Sequence, residues 1–567
     1  MSTPEILSLN GEGWSHYPLL PDEWRVRRVW QEDPPEAAAF RCAASVPGQV
    51  QHDLLVAGAL PDPRVGLNSR LWEWTAARDW IYSREFTVPE TWRQSAVRLR
   101  FEALDTPAHV YLNGEALGSH DAPFAPAEFP ISGRLRFGAA NRLVVVLEHA
   151  PALPGEFGST RHARRWAPRF AYGWEFAPRL PPIGISGDVA LLATGPVWFR
   201  DVALYANLAN DYSEAALSIV CEFGVAQPMP VTVAVQVQED GFPVAETQDA
   251  VTVFDSDTVV VQSLTLKRIR LWWPNGAGEP RLYDAVVVLA TRDGRQILDA
   301  RRFRFGLRRV EAVPCDDAPP DALPYALAVN GKRIWVQGWN WLPHDVFYGR
   351  PAPERYERLL TLARDAGVNL IRVWGGGIPE RSTFYDLCDR LGLLVWQDFP
   401  FVGSGWEREP PSDPDFLDGM AEQAAAIVAA RRNHPSLAIW CGGSDLTAPD
   451  SHPLDSGHPT LRALRTVVET HDPQRLWLPA TPSGPPAAPA PDRPEENHDV
   501  HGPWRFLGLR EHPAWYEGTP ALLASAFGCE GAASLETLAW IGIDEPPNAR
   551  HPIWVHHGGG RFGLGET

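Results

Sequence analysis

No run of about 18 apolar residues occurs anywhere in the 567-residue chain, so nothing in it reads as a membrane-spanning helix and a membrane is not an expected partner. Its opening, Met1-Ser-Thr-Pro-Glu-Ile, has neither a basic segment nor an apolar core of the secretory kind. Cysteine is scarce. The six (Cys42, Cys221, Cys315, Cys388, Cys441 and Cys529) lie far apart with no CxxC pair, which excludes a disulfide framework and a cysteine zinc site. Both features lead to the expectation of a cytoplasmic protein. Positive charge is also short: 51 basic against 70 acidic residues leave a net charge of -19. Such a chain repels phosphate backbones and anionic lipid surfaces, so nucleic acid is not an expected partner either.

Apolar residues make up 44% of the chain, enough for three or four cored domains at ~150 residues each. Tryptophan is abundant, at 24 residues. An indole face covers the apolar face of a pyranose ring, although large aromatics also simply fill cores.

Up to about residue 195 the pattern is that of β-structure. Alternating stretches such as Val97-Arg-Leu-Arg-Phe-Glu-Ala and Arg142-Leu-Val-Val-Val-Leu-Glu are separated by turns such as Asn113-Gly114. Short strands continue to about 310, including Ala216-Leu-Ser-Ile-Val-Cys-Glu-Phe and Val231-Thr-Val-Ala-Val-Gln-Val, as in a β-sandwich. After the linker Val313-Pro-Cys-Asp-Asp-Ala-Pro-Pro, strands and amphipathic helices alternate. Strands are expected at Ile334–Gly338, Asn369–Trp374, Leu393–Asp398 and Leu437–Cys441, and helices at 353–364, 382–391 and 413–432. Apolar strands between amphipathic helices indicate a parallel sheet, and this many units indicate a (β/α)8-type barrel. Leu476-Trp-Leu-Pro, His498-Asp-Val-His and Ala521-Leu-Leu-Ala-Ser are candidates for strands five to seven. No eighth strand is recognised before Thr567, so the barrel is expected to be incomplete. Its open edge would lie between Ile334–Gly338 and Leu522–Ser525, with a disordered tail from about His551; otherwise a second chain completes the barrel and covers Trp335.

Barrel active sites lie where the strands end. Those ends read Arg372-Val-Trp-Gly-Gly-Gly, Trp396-Gln-Asp-Phe-Pro, Trp440-Cys-Gly-Gly-Ser-Asp-Leu and Ser525-Ala-Phe-Gly-Cys-Glu-Gly. With Asn433-His-Pro-Ser-Leu, Asp79-Trp-Ile-Tyr-Ser-Arg-Glu-Phe, Val110-Tyr-Leu-Asn-Gly and Leu271-Trp-Trp-Pro-Asn-Gly-Ala-Gly, they resemble glycoside hydrolase family 2, most closely its β-mannosidase branch. The resemblance implies a multidomain β plus α/β chain. A jelly-roll, sugar-binding-like sandwich would span 1–195, an immunoglobulin-like sandwich 196–312, and the C-terminally truncated barrel 313–567.

It also implies a retaining mechanism, in which two carboxylates about 5 Å apart act as acid/base and nucleophile. The family's acid/base glutamate falls here at Asp445, one methylene shorter, and the preceding asparagine at Ser444. Its nucleophile falls at Ala526, which has no nucleophilic group; Glu530 close by is expected to support the site rather than substitute. Trp174 and Glu175, in Gly173-Trp-Glu-Phe-Ala, correspond to the loop that contacts the terminal sugar. Arg372 corresponds to the residue beneath the nucleophile, although a core ion pair would also account for it. Trp374, Asp398, His501 and Trp504 are expected to line the pocket, and for Asp398 and Trp396 barrel packing is an equal alternative. The adjacent His556-His557 point apart and make no metal site, and neither a metal nor a cofactor is expected. The expected function is therefore that of a carbohydrate-related, β-mannosidase-like protein, catalytically impaired or inactive. Two alternatives stand beside it: an active retaining exo-β-mannosidase acting on terminal β-linked mannose, and a non-functional truncated gene product.

Overall fold

The computed structural model describes residues 5–34, 41–174, 176–350, 352–529, 531, 533–543 and 550–558. Three successive layered units make up the chain. The first is a sandwich of a six-stranded sheet, ordered Cys42–Val46, Gly11–Leu19, Asp79–Thr87, Ala140–Leu147, Ala108–Leu112, Glu115–His120, and a four-stranded sheet, ordered Glu5–Ser8, Val189–Thr194, Ala96–Phe101, Ala127–Pro130. Asn113 and Gly114, both at positive φ (54° and 87°), form the hairpin turn that the sequence announces.

In the second sandwich, Val197–Leu208, Glu214–Val225 and Val259–Lys267 face Phe242–Val253, Met229–Glu239, Tyr283–Thr291 and Ile297–Phe305. Strict alternation is the reason. Val231, Val233, Val235 and Val237 are buried while the residues between them are only partly so.

The third unit opens with a small antiparallel sheet of Val310–Val313, Ala326–Val329 and Lys332–Ile334. This corrects the expected first barrel strand. Lys332–Ile334 folds back on Ala326–Val329 across the Asn330-Gly331 turn, and the first barrel strand is Gly338–Trp341. It is followed in parallel register by Leu370–Val373, Leu394–Asp398, Leu437–Cys441 and Leu476–Leu478. Asp499–His501 and Leu523–Ala526 form a parallel pair, which makes seven barrel strands among the described residues. The helices fall where periodicity places them. Pro353–Asp365, Ser382–Leu391 and Pro414–Ala429 bury one face each, and Asp413 caps the last by accepting from Phe416 N.

No backbone hydrogen bond joins Gly338–Trp341 to Leu523–Ala526 among the described residues; Asn340 Nδ2 reaches Ser525 O at 3.4 Å. Trp335 is 83% exposed. Up to Gly558 the tail differs from expectation, the rest of it lying outside the described residues: Pro552–His556 is helical, and the segment docks on the first sandwich through His556 Nε2 to Ser69 Oγ (2.7 Å) and His557 Nε2 to Gly66 O (2.9 Å). Trp554 buries against Leu538, Ile541 and Ile543, and that small apolar cluster supplies the order. No helix among the described residues is long and apolar enough to cross a membrane.

Candidate active site

The seven strands deliver their last residues to one end of the barrel. Arg372, from the second strand, is buried and forms an ion pair with Asp398 of the third (Nη2 to Oδ2, 2.7 Å). It also donates to Asn340 Oδ1 (3.1 Å) and Thr481 Oγ1 (2.5 Å). Gly375 N donates to the same Asp398 oxygen at 3.1 Å. Burial pushes the Asp398 carboxyl up, against the pull of Arg372. Trp396 packs at 5.8 Å from the Arg372 guanidinium. This half of the site is a fully partnered buried ion pair. The aromatic at the end of the second strand, Trp374, carries the loop from the first sandwich. Tyr172–Trp174 and Ala177–Arg179 form a two-stranded ribbon, and Trp174 and Phe176 meet the Trp374 ring edge-on at 5.2 and 5.8 Å. Glu175 lies outside the described residues.

The other half is built after the fourth strand. Gly442 and Gly443 permit a sharp departure: a Cβ on Gly442 would sit 2.2 Å from Pro479 O, and Gly443 has φ 153°. Asp445 follows in the left-handed region at φ 54°, a conformation that short polar side chains tolerate. Its Oδ1 accepts from His501 Nδ1 at 2.9 Å, and its Oδ2 accepts from Ser444 Oγ at 2.8 Å. Behind His501, Nε2 meets Ser525 Oγ at 3.0 Å. Ser525 Oγ in turn donates to Asp499 Oδ1 at 2.5 Å. A continuous polar chain thus runs from Ser444 through Asp445, His501 and Ser525 to Asp499. Burial acts to raise the Asp445 carboxyl, but the charge and hydrogen bond of His501, the Ser444 hydroxyl and the charge of Arg372 outweigh it and hold Asp445 below the ordinary carboxylate value. Asp499 is pushed the other way by burial.

Ala526 is buried on the seventh strand, beside Ser525. Glu530 lies outside the described residues. Trp504 is 49% exposed, with its ring perpendicular to His501 at 5.8 Å. The geometry therefore gathers Arg372, Asp398, Ser444, Asp445 and His501 at the strand ends, with Trp504 beside them and Trp174 joined through Trp374. Sequence reasoning did not assign roles to Asn340, Thr481, Ser525 and Asp499. The strand-end motif Trp339-Asn-Trp would have flagged Asn340 once the first strand was placed correctly.

His556 and His557 do not converge, each being bonded to a different group of the first sandwich. A group that could hold a metal, Asp386, Asp389 and His434, lies at the opposite end of the barrel. Asp389 there already accepts from His434 Nδ1 (2.6 Å) and Ser436 N (2.9 Å), and so holds the segment entering the fourth strand.

A jelly-roll sandwich, an immunoglobulin-like sandwich and a barrel with its polar groups gathered at the strand C-termini are the build of a multidomain glycoside hydrolase. Family comparison agrees. Residues 24–187 match the glycosyl hydrolase 2 galactose-binding domain-like family, 197–308 glycosyl hydrolases family 2, and 325–477 the family 2 TIM barrel domain. The chain is 28% identical over 485 residues to β-mannosidase of Rattus norvegicus (79% of this chain, 54% of the relative) and 27% identical over 567 residues to that of Bos taurus (91% and 62%). A crystal structure of β-D-mannosidase from Dictyoglomus thermophilum superposes with a TM-score of 0.84 at 29% identity, covering 98% of this chain and 67% of that one. The chain belongs to glycosyl hydrolase family 2, in its β-mannosidase branch. It spans 54% and 62% of the lengths of the two curated relatives named.

Proposed function

We propose that the chain is a β-mannoside-recognising member of the family in which the double displacement is lost. Retaining hydrolysis needs one carboxyl group that holds a proton for the leaving oxygen and a second that attacks the anomeric carbon. Both requirements fail on this reading. At the nucleophile position Ala526 offers only a methyl group. At the acid/base position Asp445 is shorter and is held ionised, as His501 and Ser444 stabilise its charged form. A general acid needs the reverse, a carboxyl whose proton affinity is raised toward the working pH. The single observation that carries the proposal is the Asp445 carboxylate tied to the His501 imidazole, read together with the methyl group that stands at Ala526. The parts that would position a sugar, Arg372 with Asp398 and the Trp174–Trp374 contact, remain partnered, so carbohydrate binding is the retained activity.

The test uses purified protein with aryl β-mannoside, β-glucoside and β-galactoside. Hydrolysis should run ~10⁴-fold or more below an ordinary family member, the scale of loss on deleting catalytic groups. Calorimetric titration with a β-mannoside should still show binding. Turnover within tenfold of an ordinary member would overturn the proposal and direct attention to Glu530.

A further inference from the structure

At the opposite end of the barrel from the candidate active site, the second sandwich meets the segments that enter the fourth and fifth strands. A cavity of ≈ 200 Å³ lies there, lined by Arg308, Arg309, Arg432 and Arg475, with no carboxylate among its lining residues. In a chain of net charge -19, four guanidinium groups around one small void are an exception to the surroundings. Two of them have acidic partners: Arg432 with Asp201, and Arg475 with Asp472 at 3.7 Å. The other two have backbone partners and no ion pair among the described residues. Arg308 donates to Pro435 O (2.8 Å) and Leu437 O, and Arg309 to Leu208 O (2.6 Å). Burial, reinforced by the neighbouring Arg475, pulls Arg308 well below the ordinary guanidinium value, against the opposing charges of Asp472 and Asp389.

Two residues lining the same cavity also carry unmade hydrogen bonds. The side chains of Arg432 and Arg475 are 5% and 9% exposed, and the Nε–H of each is shielded from solvent without a partner. A buried donor left without an acceptor is costly, and the cost is removed by an acceptor with several oxygens. Guanidinium forks match tetrahedral oxyanions, and two uncompensated positive charges match a dianion. The volume lies below the ~300–1,000 Å³ of pockets for drug-sized ligands, so the occupant is small.

We propose that this cavity is a binding site for a phosphate dianion, taken either as inorganic phosphate or as the phosphate of a small sugar phosphate. The ligand would bridge Arg308 and Arg309, at the exit of the sandwich, to Arg432 and Arg475 of the barrel, and so would fasten the two domains together. Because only the folded chain brings the four residues together, bound phosphate stabilises the folded state by mass action.

The test is calorimetric titration of the full chain with inorganic phosphate, in chloride buffer at fixed ionic strength, with thermal unfolding alongside. Saturable one-site binding and a phosphate-dependent rise in Tm are expected, with no such rise from chloride at matched ionic strength. Arg309→Gln replaces a half-buried side chain held by one bond to Leu208 O and by the Tyr212 ring at 5.4 Å. It should keep the fold by circular dichroism and bind phosphate at least tenfold more weakly, while β-mannoside binding at the distant barrel mouth is unchanged. A hexose 6-phosphate arm separates the two sources: tighter binding than phosphate assigns the sugar phosphate, and equal or weaker binding assigns inorganic phosphate. Absence of saturable phosphate binding to the parent chain overturns the proposal whatever the variant does. Undiminished binding by folded Arg309→Gln also overturns it.

Discussion

The two halves of the barrel mouth have been treated differently. On the side of the second and third strands, both members of the ion pair are fully partnered: Arg372 is held by Asp398, Asn340 and Thr481, and Asp398 by Arg372 and Gly375 N. On the side of the fourth and seventh strands, the proposed function places a shortened carboxylate at Asp445 and a methyl group at Ala526. The contrast follows from what each position does for the fold. Removing one member of a buried ion pair strands the other in a low-dielectric interior, so Arg372 and Asp398 are locked in by stability. A nucleophile makes no such demand. A methyl group at Ala526 adds no polar group that needs a partner, and Asp445 is partnered by His501.

The sharpest way to break that comparison is to restore the reacting groups. Ala526→Glu with Asp445→Glu and Ser444→Asn should raise hydrolysis of an activated aryl β-mannoside by ~10⁴-fold over the parent chain, since such groups act as a unit and their effects are not additive. A folded triple variant that stays inert would mean that the positioning half has decayed as well. Next in size is Asp398→Ala, which leaves the Arg372 guanidinium buried and unpaired. Urea denaturation should show a loss of ~3–5 kcal/mol. A loss under 1 kcal/mol would show that the pair is not what holds this half.

Much of this organisation was legible in the sequence. The second sandwich was readable because period-2 burial repeats over strands of nine or more residues, as in Glu214–Val225. The helix at Ser382–Leu391 was readable because its apolar face and the terminal Gly392, at φ 71°, mark both its side and its end. Strand one was misplaced because Ile334-Trp-Val-Gln-Gly has the right apolar composition. Only the Asn330-Gly331 turn before it tells that Lys332–Ile334 belongs to a hairpin. The helix at Pro552–His556 escaped notice because five residues carry too little periodicity, and its order comes from tertiary contact. The chain Asp445–His501–Ser525–Asp499 was not legible, since it joins three strands through rotamers that spacing does not encode.

A smaller effect tests that polar chain. The Asp445 carboxyl is held below the value it has in the unfolded chain, so its contribution is complete above an unfolded pKa of ~3.9 and is lost as pH falls through the depressed folded value. Asp445→Asn should therefore destabilise by ~1–3 kcal/mol at pH 7, the range for breaking a buried charged hydrogen bond. The gap between parent and variant should close on acidification toward about pH 3, while the opposite tendencies of Asp398 and Asp499, present in both chains, cancel. Denaturation curves at the two pH values would decide it. A gap that stays constant would show that His501 does not stabilise the charged form.

The smallest effect concerns the bridge between the positioning half and the first sandwich. Trp374 is half-buried and meets Trp174 and Phe176 edge-on, and such aromatic pairs contribute ~0.5–1.5 kcal/mol each beyond the area they bury. The ribbon Tyr172–Arg179 has other anchors: Leu180 N donates to Ala171 O, and Arg179 pairs with Glu73. Trp374→Ala should therefore leave the fold standing but loosen the tip of the ribbon. Amide exchange at Trp174 and Ala177 should quicken several-fold, while exchange in the Arg372 strand, whose partners lie elsewhere, should stay as in the parent. Affinity for a β-mannoside should fall about tenfold, the equivalent of one such aromatic contact. Unchanged affinity with a loosened ribbon would remove the first sandwich from sugar recognition and leave the Arg372–Asp398 half as its remaining support.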